Sequence, residues 1–422
     1  MIVLATSVLM LVLVLSGLWT GPALVIAGAL GLWLSYGTLA PLQIGAMTWK
    51  LANTADLAII PLFMVMGELL AGSRSASDLF NWIMRFRRLT PAAPALATVV
   101  LGTMIASVCG SIAAVTAICT RTAYGRLLKE GLPIRQSIGL VASVGSLGIM
   151  VPPSIILIVY GTMTETSILN LYKAALVPSL IQIVLFFACA IGIWYLRAAP
   201  VAAPEDQAHN SDGTISAAWQ FPCAIAIVVG GFISGVVTPT ESGALGALLA
   251  LVLSIINGEI SWKLIRTATR NAVMATSMIL LIVLGSEFIA ATLAIQGFTR
   301  DVSVFIKSLP FPPFVLMIVV VLIYVVLGTV FEGLALMTLT VPFLFPAIIA
   351  MGYSPIWFGV LIVICIQIAE LSPPIGVNLF VAQQYTGEKA EEVWQGVMPY
   401  LWMLVLMAIL LIAFPGLGIM LL

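Results

Sequence analysis

Two stretches decide the fold: Gly145–Ser154 (GSLGIMVPPS) and Gln367–Gly376 (QIAELSPPIG). Each lies in an apolar run and each carries a Pro-Pro pair. Two consecutive prolines remove two backbone donors and block a continuing helix. The residue before the pair is pushed out of the helical region. A helix therefore has to stop in mid-run. The carbonyls freed there cannot face lipid, so a neighbouring helix or a cation must satisfy them. One such break reads as an ordinary proline kink. Two, placed alike in the two halves of the chain, read as broken helices that turn their carbonyl ends toward an ion.

The surrounding composition sets the class. Hydrophobic residues fill 62% of 422 positions and charged ones only 8%, too little polar surface for a soluble chain of this length. No Lys, Arg, Asp, Glu or His precedes Lys50, and Gln136–Thr164, Gly333–Ala369 and Val393–Leu422 are also uncharged. Each run exceeds the roughly 20 apolar residues that span a bilayer. Met1–Gly17 lacks the basic start and small-residue cleavage site of a signal peptide and reads as a membrane helix. Net charge is zero, which indicates no nucleic-acid surface. The cysteines at 109, 119, 189, 223 and 365 have no metal spacing, and His209 is the only histidine. No catalytic set, P-loop or dinucleotide fingerprint is visible. The reading is a transporter, not an enzyme, driven by an ion gradient or a downhill solute rather than by ATP hydrolysed on this chain.

An all-α membrane fold follows, with about ten full spans. The spans fall near 2–16, 22–38, 56–72, 134–160, 172–196, 220–237, 240–257, 271–296, 355–384 and 399–420. Segments 95–120 and 314–342 are apolar but interrupted by Ser107, Cys109, Gly110 and Ser111, and by Gly328, Glu332 and Gly333; both read as re-entrant hairpins. Segments 75–88 and 296–309 read as amphipathic helices in the membrane interface, the first through Leu79, Trp82, Ile83 and Phe86. With the N-terminus outside, 13 of the 17 Lys and Arg fall in inside connections. The other four, Lys50, Lys173, Arg300 and Lys307, fall outside. This bias predicts periplasmic termini in a bacterial inner membrane.

The polar segment 200–218 divides the chain into 1–199 and 219–422, and the halves repeat. Pro152–Pro153 and Pro373–Pro374 are 221 positions apart, as are Ser111 and Glu332; Gly28-Ala29-Leu30 matches Gly246-Ala247-Leu248 at 218. Five spans per half is odd, so the second half is inverted, a signature of secondary transporters. Small residues at Cys109-Gly110-Ser111 and Gly328–Gly333 let the hairpin tips approach the broken helices closely. Glu68, Glu165, Glu241, Glu287, Glu332 and Glu370 lie in or beside apolar segments, where acids default to function. Glu165 reads instead as capped or ion-paired, and the roles of Glu68, Glu287 and Glu370 stay open.

At these residues the chain resembles the large membrane subunit of the tripartite ATP-independent periplasmic (TRAP) transporters, the DctM-like family. The likeness rests on Ala142–Gly161 (ASVGSLGIMVPPSIILIVYG), Gly235–Ala247 (GVVTPTESGALGA), Pro342–Gly359, Ser372–Ala382 (SPPIGVNLFVA) and the final Phe414-Pro415, and it runs the length of the chain. It implies an elevator mechanism, in which hairpins and broken helices form a transport domain that slides on a scaffold of the other helices. It also implies Na+ as the coupling ion, a small four-helix membrane partner, and a periplasmic binding protein that delivers an organic acid such as a C4-dicarboxylate, sialic acid or sugar acid. Carried over by position, the first Na+ site comprises Cys109, Ser111, Gly148, Val151 and Pro153. The second comprises Thr240, Gly328, Glu332, Ala369 and Ser372. Gly110, Ser111, Ser154, Pro374 and Asn378 would face substrate. The family reads Ser-Gly-Ser at the first tip where this chain has Cys109, and a thiol is a poor Na+ ligand, so that site leans on backbone oxygen or Ser111.

Other classes predict different behaviour. A standalone anion symporter of the same inverted fold would work without a binding protein. A channel would not saturate at low substrate, and a membrane enzyme would form product.

Overall fold

A computed structural model describes residues 1–71, 75–109, 112–199, 218–328, 331–372 and 376–422. Among them every regular element is helical. The expected linker at 200–218, apart from its last residue, lies outside the described residues, as do Gly110, Ser111 and Pro374.

The centre of the bundle is made by the two proline-interrupted segments. The first runs as Ile134–Leu147, breaks, and restarts as Ile155–Met163. The second runs as Pro355–Leu371 and restarts as Val377–Thr386. Every residue from Ser137 to Leu147 and from Trp357 to Leu371 is buried. A helix apolar on all sides is stable only when surrounded, and these two occupy the interior. They touch at repeat-equivalent positions: Gln367 Nε2 donates to the Ser146 carbonyl at 2.7 Å, across a separation of 221 residues. Gln182 Nε2, from the long helix Ile168–Arg197, donates to Gln367 Oε1 at 2.7 Å.

Each broken helix packs against a hairpin. Arms Ala93–Cys109 and Ile112–Cys119 flank the first, and arms Pro313–Gly328 and Gly333–Ala350 flank the second. The second arms also cross over. Ile112–Cys119 packs on Val377–Thr386, and Gly333–Ala350 packs on Ile155–Met163.

The outer helices pair in the same reciprocal way. Thr20–Tyr36 packs on Trp262–Ile295 with Gly28 so close that a Cβ there would lie 2.6 Å from Phe288 Cβ. Its repeat partner, Pro239–Ile256, packs on Ile59–Ala71, where a Cβ at Gly246 would lie 2.4 Å from Met66 Sδ.

Among the described residues six helices are long and apolar enough to cross a membrane, or seven if the bent pair Ile59–Leu70 and Ser75–Arg87 is one span, against the ten spans read from the sequence. Five correspond to expected spans, and the sixth, Gly333–Ala350, is a hairpin arm. Ile2–Leu15 and Gln220–Ile233 have 14 residues each, about 21 Å of helix. The expected spans 134–160 and 355–384 are divided by their breaks. The sequence reading also placed no element where Ala40–Ala52 forms a helix, started by Pro41 in its first turn.

Ser75–Met84 is helical as expected, with Leu79 and Ile83 buried. Trp82 and Phe86 do not join that face: they are exposed and meet edge to face at 5.6 Å. Phe298–Ser308 forms the second surface helix, held to a hairpin arm by Phe298 on Phe343. Arg87–Glu130, Arg135–Glu392 and Lys50–Glu165 form ion pairs at 2.7, 3.0 and 3.1 Å, and the Tyr124 hydroxyl donates to Glu388 at 2.8 Å.

Candidate ion and substrate site

The first break is chemically explicit. In a continuous helix the carbonyls of Gly148 and Ile149 would accept from residues 152 and 153, which are prolines without a donor. The Ile149 carbonyl is recovered by the Ser154 hydroxyl, which donates to it. Ser146 is taken by Gln367, and Leu147 accepts from Met150 N at 3.2 Å. Among the described residues the carbonyls of Gly148, Val151 and Pro153 accept no hydrogen bond. Gly148 and Pro153 are buried and Val151 half-buried. An unmet buried carbonyl is costly, and each such oxygen is one that a hard cation could satisfy.

Ser154 was expected to face substrate. Its hydroxyl is engaged inside the break, donating to Ile149 and accepting from Leu157 N at 3.4 Å to cap the restarting helix. It braces the turn. Cys109 ends the first hairpin arm; its side chain, with Gly110 and Ser111, lies outside the described residues.

The hairpins meet the breaks through paired small residues. A Cβ at Gly148 would lie 1.7 Å from Ala106 Cβ of the first hairpin. A Cβ at Gly328 of the second hairpin would lie 2.0 Å from Ala369 Cβ. In the first half the glycine sits on the broken helix and the alanine on the hairpin; in the second they change places. Ser372 ends the helix Pro355–Leu371, its hydroxyl donating to the Ile368 carbonyl at 2.7 Å and its N–H to Ala369 at 3.2 Å.

Glu332 caps Gly333–Ala350, accepting from Ala335 N at 3.4 Å, and its side chain is solvent-accessible. Gly328, Glu332, Ala369 and Ser372 thus fall along one seam. Thr238-Pro239-Thr240-Glu241 forms a capping box, with Thr238 N donating to Glu241 at 2.7 Å and Glu241 N to Thr238 at 3.2 Å. Thr240 lines a cavity of about 390 Å³ with Lys50, Glu165 and Glu287. The other acids resolve as well. Glu165 pairs with Lys50, and Glu68 accepts from Asn271 Nδ2 at 3.0 Å.

Asn378, in the first turn after the second break, is fully buried. Its Oδ1 accepts from Thr116 of the first hairpin at 3.2 Å, while its Nδ2 has no partner. One broken helix and the opposite hairpin therefore meet at a free amide donor. Sequence reasoning missed Gln367, although it stands at the same 221-residue offset from Ser146 as the two proline pairs from each other. It also missed Gln182, for which no sequence signal exists.

Two interrupted helices crossing at the core, each faced by a helical hairpin, in a bundle of apolar helices, define a multi-pass membrane transporter. The sequence matches, over residues 7–417, the family model described as tripartite ATP-independent periplasmic transporter, DctM component, and the chain belongs to that family. It is 25% identical to the C4-dicarboxylate TRAP transporter large permease protein DctM of Pseudomonas aeruginosa, covering 90% of each chain. It is 28% identical to the 2,3-diketo-L-gulonate TRAP transporter large permease protein YiaN of Escherichia coli, covering 94% of this chain and 93% of that one. Among solved structures its fold resembles the Alcanivorax borkumensis YdaH transporter, with a TM-score of 0.65, 15% identity and 88% of each chain covered. Family membership makes this a large permease subunit of the inner membrane and implies a small membrane subunit and a periplasmic binding protein beside it.

Proposed function

We propose that this chain translocates a small organic acid into the cell by Na+ symport, receiving it from a periplasmic binding protein and working with a small four-helix membrane subunit. The observation that carries the reading is the first break, where among the described residues the carbonyls of buried Gly148 and Pro153 and half-buried Val151 accept no hydrogen bond. Na+ is a hard monovalent cation that suits such oxygens, and Ser111 on the facing hairpin tip would add a hydroxyl. The second site would gather at Gly328, Ala369 and Ser372, beside Glu332, which caps the hairpin arm. Substrate would sit between the tips, near Gly110, Ser111 and Pro374, with the free Asn378 amide donating to its carboxylate. The carboxylate class is in keeping with the C4-dicarboxylate and diketogulonate names of the relatives.

Both hairpins and both broken helices would move as one body against a scaffold of the remaining helices. Both termini would lie in the periplasm. Neither substrate nor ion needs covalent chemistry: the ions complete a surface that accepts substrate, and dissipation of their gradient drives the return. The test is uptake in proteoliposomes containing this chain and the small subunit. Uptake should require both an inward Na+ gradient and the loaded binding protein. Equal uptake without the binding protein would favour a standalone symporter; uptake indifferent to Na+ would reject the ion sites.

A further inference from the structure

Among the described residues Glu370 is the only charged side chain buried in the bundle, at 2% exposure. Neither of its carboxylate oxygens makes a well-formed hydrogen bond, and the one donor beside them is the Gly333 N–H. Its Oε1 rests against the second hairpin, where a Cβ at Gly333 would lie 2.5 Å away. Gly333 opens the hairpin helix Gly333–Ala350, so the carboxylate is aimed at the turn just past the hairpin tip. The preceding residue, Ala369, abuts Gly328 on the other side of that tip. Glu370 thus sits on the seam between the second hairpin and the carbonyl end of the second broken helix.

A buried carboxylate met by one backbone donor at most is expensive unless a countercharge accompanies it. Among the described residues no lysine or arginine supplies one. On the helices packed against Pro355–Leu371, the basic residues are Arg135, Lys173 and Arg197, all within two turns of a helix end, and Arg135 pairs with Glu392. The hairpin arms Pro313–Gly328 and Gly333–Ala350 carry no charged residue at all. Glu332 is the wrong sign, is solvent-accessible, and has a carboxylate oxygen engaged in capping.

We propose that Glu370 provides the fixed negative charge of the second cation site, binding a monovalent cation of the Na+ class between the second hairpin tip and the end of the helix Pro355–Leu371. This rests on the Na+-symport reading and deepens it: the charge at that site comes from Glu370, and Glu332 acts as the cap that shapes the hairpin. The first break has no acid in the equivalent place, since position 149 is Ile. The two sites therefore differ in kind, one built from neutral oxygens and one from a carboxylate.

The experiment compares wild type, Glu370→Gln and Glu332→Gln in proteoliposomes with the small subunit and loaded binding protein, reading uptake against Na+ concentration. Glu370→Gln keeps the shape and removes the charge, so it should raise half-saturating Na+ by about tenfold or more. Glu332→Gln keeps a capping oxygen and should shift it by less than about threefold. A purely structural role for Glu370 would lower the maximal rate without moving half-saturating Na+. A carboxyl that is permanently protonated would behave like its amide. Either result, wild-type Na+ dependence in Glu370→Gln included, overturns the proposal while leaving Na+ symport standing. A wild type indifferent to Na+ overturns both. If Glu370→Gln does not accumulate, Glu370→Asp keeps the charge on a shorter arm; it should still move half-saturating Na+ by a few-fold, and an unmoved value rejects the site.

Discussion

The two breaks solve one packing problem in opposite ways. At the first, Gly148 of the broken helix lets Ala106 of the hairpin in; at the second, Gly328 of the hairpin lets Ala369 of the broken helix in. What both conserve is a distance of backbone approach too short for two methyl groups. What they do not share is charge. The first is lined by unpaired carbonyls, and the second holds a buried carboxylate at Glu370. The fold thus demands close contact at both places and leaves the chemistry of each free to diverge.

The sharpest way to break this comparison is to exchange the partners. Gly148→Ala or Gly328→Ala alone adds a methyl where another already sits, an overpacking cost of about 1–3 kcal/mol at the site itself. Uptake should fall on the order of a hundredfold. Gly328→Ala combined with Ala369→Gly removes the facing methyl at the second break, leaving the Ala369 Cα 2.9 Å from the new Cβ, and should recover part of the activity. At the first break the Ala106 Cα and carbonyl carbon would lie 2.5 Å from the new Cβ, so Gly148→Ala should stay impaired even with Ala106→Gly, although φ −75° suits alanine there. Equal recovery at the two breaks would mean that the facing methyl alone sets both contacts.

The two breaks are joined by Gln367, which donates to Ser146 and is itself held by Gln182. Gln367→Leu orphans a buried carbonyl and a buried amide, costing about 1–3 kcal/mol each. The purified protein should unfold at a lower temperature, and adding Gln182→Leu should restore part of the loss. Independent, additive effects would show that the three residues are not one network.

At the first break Ser111→Ala should raise half-saturating Na+ by about tenfold with normal expression, the scale of one lost oxygen ligand. Pro153→Ala returns a donor to the Ile149 carbonyl, lets the helix heal, and should act in the same direction. Wild-type Na+ curves in both would remove the first site. The smallest effect belongs to Lys50→Ala. The Lys50–Glu165 pair is 69% and 82% exposed, so its loss should change thermal stability by less than about 1 kcal/mol.

Much of this architecture was legible because prolines and glycines act locally. Pro152–Pro153 stops a helix wherever it is placed, and the first broken helix stops there. The 221-residue offset marked equivalent positions, and Ser146 and Gln367 are found touching. Side-chain partners between distant elements were not legible. Thr240 belonged to a motif whose Thr238 and Glu241 form a capping box, a local hydrogen-bond pattern that their spacing already contained. Ser154 likewise spends its hydroxyl within five residues. The expected spans 2–16 and 220–237 are present as the apolar helices Ile2–Leu15 and Gln220–Ile233, and only their length of 14 residues each was not legible. The burial of Glu370 against Gly333 depends on a hairpin folding back over it, which no local pattern encodes.

The central claim is that the seams between hairpins and broken helices bind Na+. Thermal unfolding of the purified chain tests it without substrate or partner, since an ion that binds only the folded state raises the unfolding temperature in proportion to its occupancy. NaCl should stabilise the wild type more than KCl or choline chloride at equal ionic strength. Gly148→Ala and Gly328→Ala should each weaken that Na+-specific shift, and Ala369→Gly added to Gly328→Ala should bring part of it back. Equal stabilisation by Na+ and K+, or a Na+ shift untouched by both glycine substitutions, would contradict the account.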